Sequence, residues 1–287
     1  MKDILIDISG KISKPYIDAI KEIREICGSL AIPFFIVGAS ARDFILEHFY
    51  GVRSPRRTTD IDLAVKVKSW KQFDDLINTA LKSDKFKKQK EKQRLVYNDN
   101  VFIDIVPFGK ISDKDLRISW PPEHAIVMSV MGFDDVYKFS TTIRLSSNPP
   151  LEVEIPTLPG LAILKLLSWK DNYPERKKDA QDLLFIMFNY EHAGIFDRLY
   201  ETEVQLLKNE DFDIRAASIK LLGKDMGSIS YTGTLDYISK ILIEETDEES
   251  RFNLVVHMMN PHDDFDKILN LLIKLKEGLL ETLKTIG

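Results

Sequence analysis

Ile17, Ile20, Ile23 and Ile26 recur at the step of one helical face, so the chain opens with an amphipathic helix. Ser13 ahead of them suits the cap, Pro15 fits the first turn and Gly28 marks the end. The apolar run Pro33–Val37 stops at Gly38, the pattern of a short buried strand. A second helix is predicted from about Ala39 to Tyr50. Gly51–Thr59 is polar, holds Pro55 and three arginines, and reads as a loop.

Asp60–Val65 alternates as a strand does, and Lys68 to about Leu81 returns to helical spacing. Arg94–Tyr97 and Val101–Val106 form two strands about the turn residues Asn98, Asp99 and Asn100. Ala125–Met131 and Leu151–Ile155 add strands. After Pro156 the texture changes, and Leu158–Trp169, Arg176–Phe188 and most of the remainder carry helical patterns. The predicted fold class is α/β in the broad α+β sense. Residues 1–155 form a core with a short mixed sheet flanked by helices, and residues 156–287 form an all-helical C-terminal domain. Within the latter, Asp211–Arg215 and Asp247–Arg251 resemble each other and each leads into an apolar helix, a faint sign of helix-pair repeats.

Charge sharpens this division. The net charge is −5, yet residues 191–287 hold 19 acidic against 11 basic side chains, which leaves +3 on residues 1–190. A mildly basic front half suits a domain that handles polyanions. Cys27 is the only cysteine, which excludes an internal disulfide and a cysteine-cluster metal site, and its place on an apolar helix face predicts a buried, inert thiol. His48, His124, His192, His257 and His262 are scattered, so a histidine metal site is not expected. No apolar stretch is long enough to span a membrane, and the N-terminus is acidic where a signal peptide would be basic. The expectation is a cytoplasmic, unprocessed protein.

The chemistry-bearing residues are acids. Asp60 and Asp62 alternate on one strand and so project to the same side, about 6.6 Å apart at the usual rise. Two carboxylates on one face repel unless a cation or solvent compensates, and Mg²⁺ is held by such groups together with substrate phosphates. Asp104 stands in the otherwise apolar run Val101–Val106, where an unpartnered carboxylate would be costly. An acidic strand edge would show the same Asp-x-Asp, but Asp104 in its apolar frame favours a site. If the two strands are neighbours, the three acids can serve two metals for in-line phosphoryl displacement. Upstream, Val37-Gly38-Ala39-Ser40 joins a strand to a helix, which is either a phosphate cradle or a tight turn needing glycine for geometry alone.

Together these pieces resemble the polymerase-β-like nucleotidyltransferase superfamily. Gly38-Ala39 is similar to its Gly-Gly or Gly-Ser turn, Arg56-x-Thr58-x-Asp60-Ile61-Asp62 to its acid motif, and Asp104 to its third acid. Val37–Asp43 is similar to the version found in tRNA CCA-adding enzymes, and order and spacing agree over roughly residues 30–110. Lys165 and Lys177–Leu184, with Asp179 and Asp182, are similar to the helical segment of AbiE-type toxin nucleotidyltransferases. The sequence departs from the pattern at Ala39, so that a hydroxyl contact would have to come from Ser40.

The resemblance implies transfer of a nucleoside monophosphate from an NTP to an acceptor hydroxyl, with pyrophosphate released. Asp60, Asp62 and Asp104 would be catalytic and would hold two Mg²⁺ or Mn²⁺ ions. Gly38, Ala39, Ser40, Arg42, Thr58 and Lys165 would contact the nucleotide, ATP among the candidates. The basic run from Lys82 to Arg94 either grips an RNA or tRNA acceptor or is a solvated lysine face. Protein and small-molecule acceptors stay open, and an AbiE-like toxin would be paired with an antitoxin protein. Two rivals compete. A sugar-nucleotide glycosyltransferase also carries Asp-x-Asp, usually after a longer α/β region than is present here. A catalytically silent nucleotide-binding or regulatory module would use the helical tail as a partner surface.

Overall fold

The computed structural model describes residues 6–54, 56 and 58–286. Met1–Leu5, on which the reading of the N-terminus partly rests, and Pro55 and Arg57 of the arginine-rich loop lie outside the described residues. The chain divides into two compact units, Met1–Thr157 and Leu158–Gly287.

The first unit runs β1 (Ile6–Asp7), α1 (Lys14–Ser29), β2 (Phe34–Val37), α2 (Gly38–Asp43), β3 (Asp60–Lys66), α3 (Trp70–Leu81), β4 (Phe86–Lys88), β5 (Arg94–Tyr97), β6 (Val101–Phe108), β7 (Arg117–Ser119), β8 (Val127–Ser129), α4 (Phe133–Lys138), β9 (Thr141–Ser147) and β10 (Pro150–Ile155). Its main sheet has the order β2-β3-β6-β5-β4. β3 and β6 run parallel, and the other neighbours are antiparallel, so the sheet is mixed. A second sheet orders β1-β9-β10, and β7 pairs with β8. Strand alternation decides the two faces. Ile61, Leu63 and Val65 of β3 and Val101, Ile103 and Ile105 of β6 are buried in the core. Asp60, Asp62, Phe102 and Asp104 therefore share the opposite face.

The second unit is helical: α5 (Leu158–Asp171), α6 (Lys177–Asn189), α7 (Val204–Asn209), α8 (Ile214–Ile229), α9 (Thr232–Glu245), α10 (Asn253–Met258) and α11 (Phe265–Ile286). Short 3₁₀ and π segments occupy Tyr190–His192 and Arg198–Thr202. Among the described residues no strand follows Ile155, and no helix is long and apolar enough to cross a membrane. Glycine sets how closely α8 and α11 pack. A Cβ on Gly278 would stand 1.8 Å from the Lys220 carbonyl oxygen, and one on Gly223 would stand 2.1 Å from that of Leu275. The architecture is the mixed-sheet core with flanking helices and a helical C-terminal region that the periodicity predicts.

Local expectations fail where local signals were weak. Ser13 makes no side-chain cap bond, and its carbonyl instead accepts from the Tyr16 and Ile17 amides. α1 continues through Gly28, because Cys27 and its apolar neighbours are packed and a helical glycine costs only about 1 kcal/mol. The chain turns at Ala31, at φ 50°. The second helix is α only to Asp43 and continues as a π-helix over Phe44–Phe49. β1, β4 and β7 have two or three residues, too few for a period to show. β9 buries only Ile143 and Leu145 among polar neighbours. The two echoing acidic segments lead into helices of sixteen and six residues, α8 and α10, so they do not mark a repeat.

Candidate active site

Parallel pairing of β3 with β6 puts Asp62 directly opposite Asp104, and Asp60 opposite Phe102. Asp104 is thereby gathered with Asp60 and Asp62, more than forty residues earlier in sequence, on one face of two adjacent strands. β2 runs antiparallel on the other side of β3, with Val37 opposite Asp62. The chain then turns at Gly38, at φ 67°, directly over the Asp62 side chain. Ser40, buried in α2, donates its hydroxyl to the Asp60 carbonyl at 2.7 Å and pins the start of β3 to the helix.

The loop before β3 is anchored by a second polar cluster. The buried Arg42 guanidinium donates to Asp43 through Nε at 2.8 Å and Nη2 at 2.6 Å, and to the Ser54 hydroxyl at 2.9 Å. The Thr58 hydroxyl donates to the other Asp43 oxygen. Arg42 and Thr58 thus tie the loop to α2, and Thr58, two residues from Asp60, fixes the approach to the acids. Ser40, Asp43, Thr58 and Thr59 also line a cleft of about 520 Å³ together with Tyr16 and Asn100.

Sequence reasoning missed Arg94 as a member of this site. The hairpin of β5 and β6 turns on Asp99, with Tyr97 opposite Val101 and Arg94 opposite Asp104. Arg94 donates to both Asp104 oxygens, from Nε at 2.7 Å and from Nη2 at 2.6 Å, and Nη2 lies 3.1 Å from Asp60 Oδ2. Its guanidinium also lies 5.6 Å from the Phe102 ring centroid. The hydrogen bonds to Asp104 first, and then the Asp104 and Asp60 charges, hold the Arg94 pKa above its ordinary value against the lowering effect of burial. The signal was present in the sequence. A turn centred on residue 99 makes 94 the cross-strand partner of 104, yet the basic residues around it suggested only a charged face.

Half of the six lysines in that basic run are committed elsewhere. Lys85 pairs with Glu22, Lys87 with Asp99, and Lys92 with Glu123. In the second unit Lys165 is buried and donates to Asp179 at 2.8 Å, with Asp182 at 2.7 Å. Ser168 adds a hydrogen bond to the other Asp179 oxygen. Burial alone would lower the Lys165 pKa, but the charges of Asp179 and Asp182 outweigh it and leave the ammonium raised above its ordinary value.

Three carboxylates on one sheet face are a donor set suited to a hard divalent cation. Among the described residues no three acid, histidine or cysteine side chains already converge in a metal-ligating arrangement, and the Arg94 guanidinium pairs with both Asp60 and Asp104. The chemistry of the acids fits a metal, and the positive charge now among them is arginine.

No known protein-family model matches the chain, and no curated protein sequence does. Among solved structures, the antibiotic-resistance factor ANT(2'')-Ia is similar at 13% identity and a TM-score of 0.33, over 70% of this chain and 98% of that one. A CCA-adding enzyme in complex with ATP is similar at 14% identity and a TM-score of 0.32, over 96% and 83%. The Thermotoga maritima CCA-adding enzyme complexed with tRNA gives 13% identity and a TM-score of 0.26, over 96% and 84%.

Proposed function

We propose that the chain is a metal-dependent nucleotidyltransferase that moves a nucleoside monophosphate from an NTP to an acceptor hydroxyl. The observation that carries this is Asp62 in register with Asp104 on parallel strands, with Asp60 on the same face. Asp60, Asp62 and Asp104 would hold Mg²⁺ or Mn²⁺. Bound there, the cation would neutralise phosphate charge and ease loss of the acceptor proton. The main chain at Gly38, Ala39 and Ser40 would receive the triphosphate, held beside the acids by the Ser40 bond to Asp60. Asp104 would complete one metal site and sit nearest the acceptor hydroxyl. The acceptor oxygen forms a bond to the α-phosphorus and loses its proton, the bond from that phosphorus to the bridging oxygen breaks, and pyrophosphate leaves.

The cleft lined in part by Ser40, Thr58, Thr59 and Asn100, reached from Asp60 through its chain neighbour Thr59, would supply room for a hydroxylated acceptor. The ion pairs of Lys85, Lys87 and Lys92 leave a weaker basis for an RNA or tRNA grip at the Lys82–Arg94 run. Within Lys165 and Lys177–Leu184, which carry the resemblance to AbiE toxins, Lys165, Asp179 and Asp182 form a buried ion triad, and the proposed transfer does not depend on a toxin role or an antitoxin partner.

The test is incubation of the purified chain with each α-labelled NTP, Mg²⁺ or Mn²⁺, and cell lysate with total RNA. Label should move to RNA, protein or a small molecule, and the Asp60→Asn/Asp62→Asn double variant should transfer none. Equal transfer by a folded double variant, or no transfer and no metal-dependent NTP binding by the wild type, overturns the proposal.

A further inference from the structure

Arg94 reaches the acids by construction rather than by chance of rotamer. It is the cross-strand partner of Asp104 in the antiparallel pair β5–β6, so its side chain must emerge on the face that carries the acids. Its planar fork takes both Asp104 oxygens and still brings Nη2 within 3.1 Å of Asp60. A lysine has one ammonium and cannot reproduce that bridge. All three groups are only partly exposed, Arg94 at 28%, Asp60 at 36% and Asp104 at 16% of their side-chain surface, so water screens the interaction incompletely.

We propose that Arg94 is the resident counter-ion of the acid cluster and competes with the divalent cation for Asp60 and Asp104. This rests on the metal-dependent reading above. The guanidinium satisfies the oxygens that a cation would take, and it adds a positive charge within a few ångströms of where that cation would sit. A cation binds by displacing Arg94 from Asp104. The Phe102 ring, in register with Asp60 and 39% exposed, lies 5.6 Å from the guanidinium while it bridges the acids, and so adds a contact on this same face that does not depend on Asp104. Arg94 therefore holds the carboxylates oriented, and sets the cation concentration at which the site loads.

The experiment is titration of Mn²⁺ into the full chain, with free Mn²⁺ read by its paramagnetic resonance signal and folding checked by circular dichroism. Arg94→Gln should bind Mn²⁺ about tenfold tighter or more than wild type, because a nearby like charge has been removed. Arg94→Lys, which keeps the charge and tolerates the fold, should fall between the two and carries the test if Arg94→Gln does not fold. Asp62→Asn should weaken binding in every background. A side chain needed only for structure would loosen the site on removal, so tighter binding separates the two roles. Mn²⁺ bound equally or more weakly by a folded Arg94→Gln or Arg94→Lys overturns the competition and leaves the nucleotidyltransferase reading standing. No Mn²⁺ bound by any of the proteins overturns both.

Discussion

Gly38 and Asp62 are packed in direct contact: a Cβ built on Gly38 would stand 2.1 Å from Asp62 Oδ2 and 2.9 Å from Asp62 Cβ. Gly38 also lies at φ 67°. The glycine that reads as a phosphate cradle is thus required twice over before any ligand arrives. It lets the chain reverse from β2 into α2, and it gives an acid the room to lie against the turn.

Gly38→Ala follows from that contact. The left-handed backbone costs about 1–2 kcal/mol for a residue with a Cβ, and the new methyl must also expel the Asp62 carboxylate. The expected result is a folded protein destabilised by about 2 kcal/mol, with transfer reduced at least about a hundredfold. Denaturant unfolding and single-turnover transfer measure the two effects. Wild-type activity in the variant would show that Asp62 has no fixed position to lose.

In the second unit, Gly278→Ala should destabilise by several kcal/mol, about 3 or more. The obstacle is the Lys220 carbonyl at 1.8 Å, which is main chain and cannot swing aside. Gly233→Ala, in α9 with nothing within 4 Å of the new Cβ, should be neutral or stabilising by up to about 1 kcal/mol. Thermal unfolding of the two variants should shift in opposite directions or differ widely.

Lys165→Met tests what the buried ammonium does. It would leave the buried Asp179 and Asp182 without their central cation, at a cost of about 3–5 kcal/mol. That loss should appear in unfolding curves recorded without nucleotide. Unchanged stability with weakened NTP binding would instead assign Lys165 to the nucleotide.

Cys27 supplies a pH signature. Burial pushes its thiol up to about 12 from an ordinary 9.0. Between those values the unfolded chain has lost a proton that the folded chain keeps, so this stabilisation is complete below pH 9 and declines as pH rises, by about 1.4 kcal/mol per unit. At pH 10.5 the wild type should have lost about 2 kcal/mol that Cys27→Ala does not lose. A thiol reagent at pH 8 should label the folded protein far more slowly than the unfolded one.

Periodicity alone determined the elements with strong repeats: α1, β3, α3, β5, β6, α5 and α6 all lie where apolar spacing puts them. It also determined which faces are buried, since Ile61, Leu63, Ile103 and Ile105 could alternate with Asp60, Asp62 and Asp104 in only one way. The candidate acids were legible for the same reason, as charges set inside apolar runs. Strands of two or three residues such as β1 and β4 were not, because a period needs length to be seen.

What only the tertiary structure decided is which strands are neighbours. Parallel pairing of β3 with β6 closes a loop of more than thirty residues, and no local pattern specifies that Asp62 and not Asp60 faces Asp104. The same pairing turns Arg94 from one basic residue among many into the cation between two acids. Register is fixed by burial of the core face over the whole sheet, a cooperative property that individual residues carry only in fragments. The identities of the charged groups were written along the chain, and the distances between them came from the sheet.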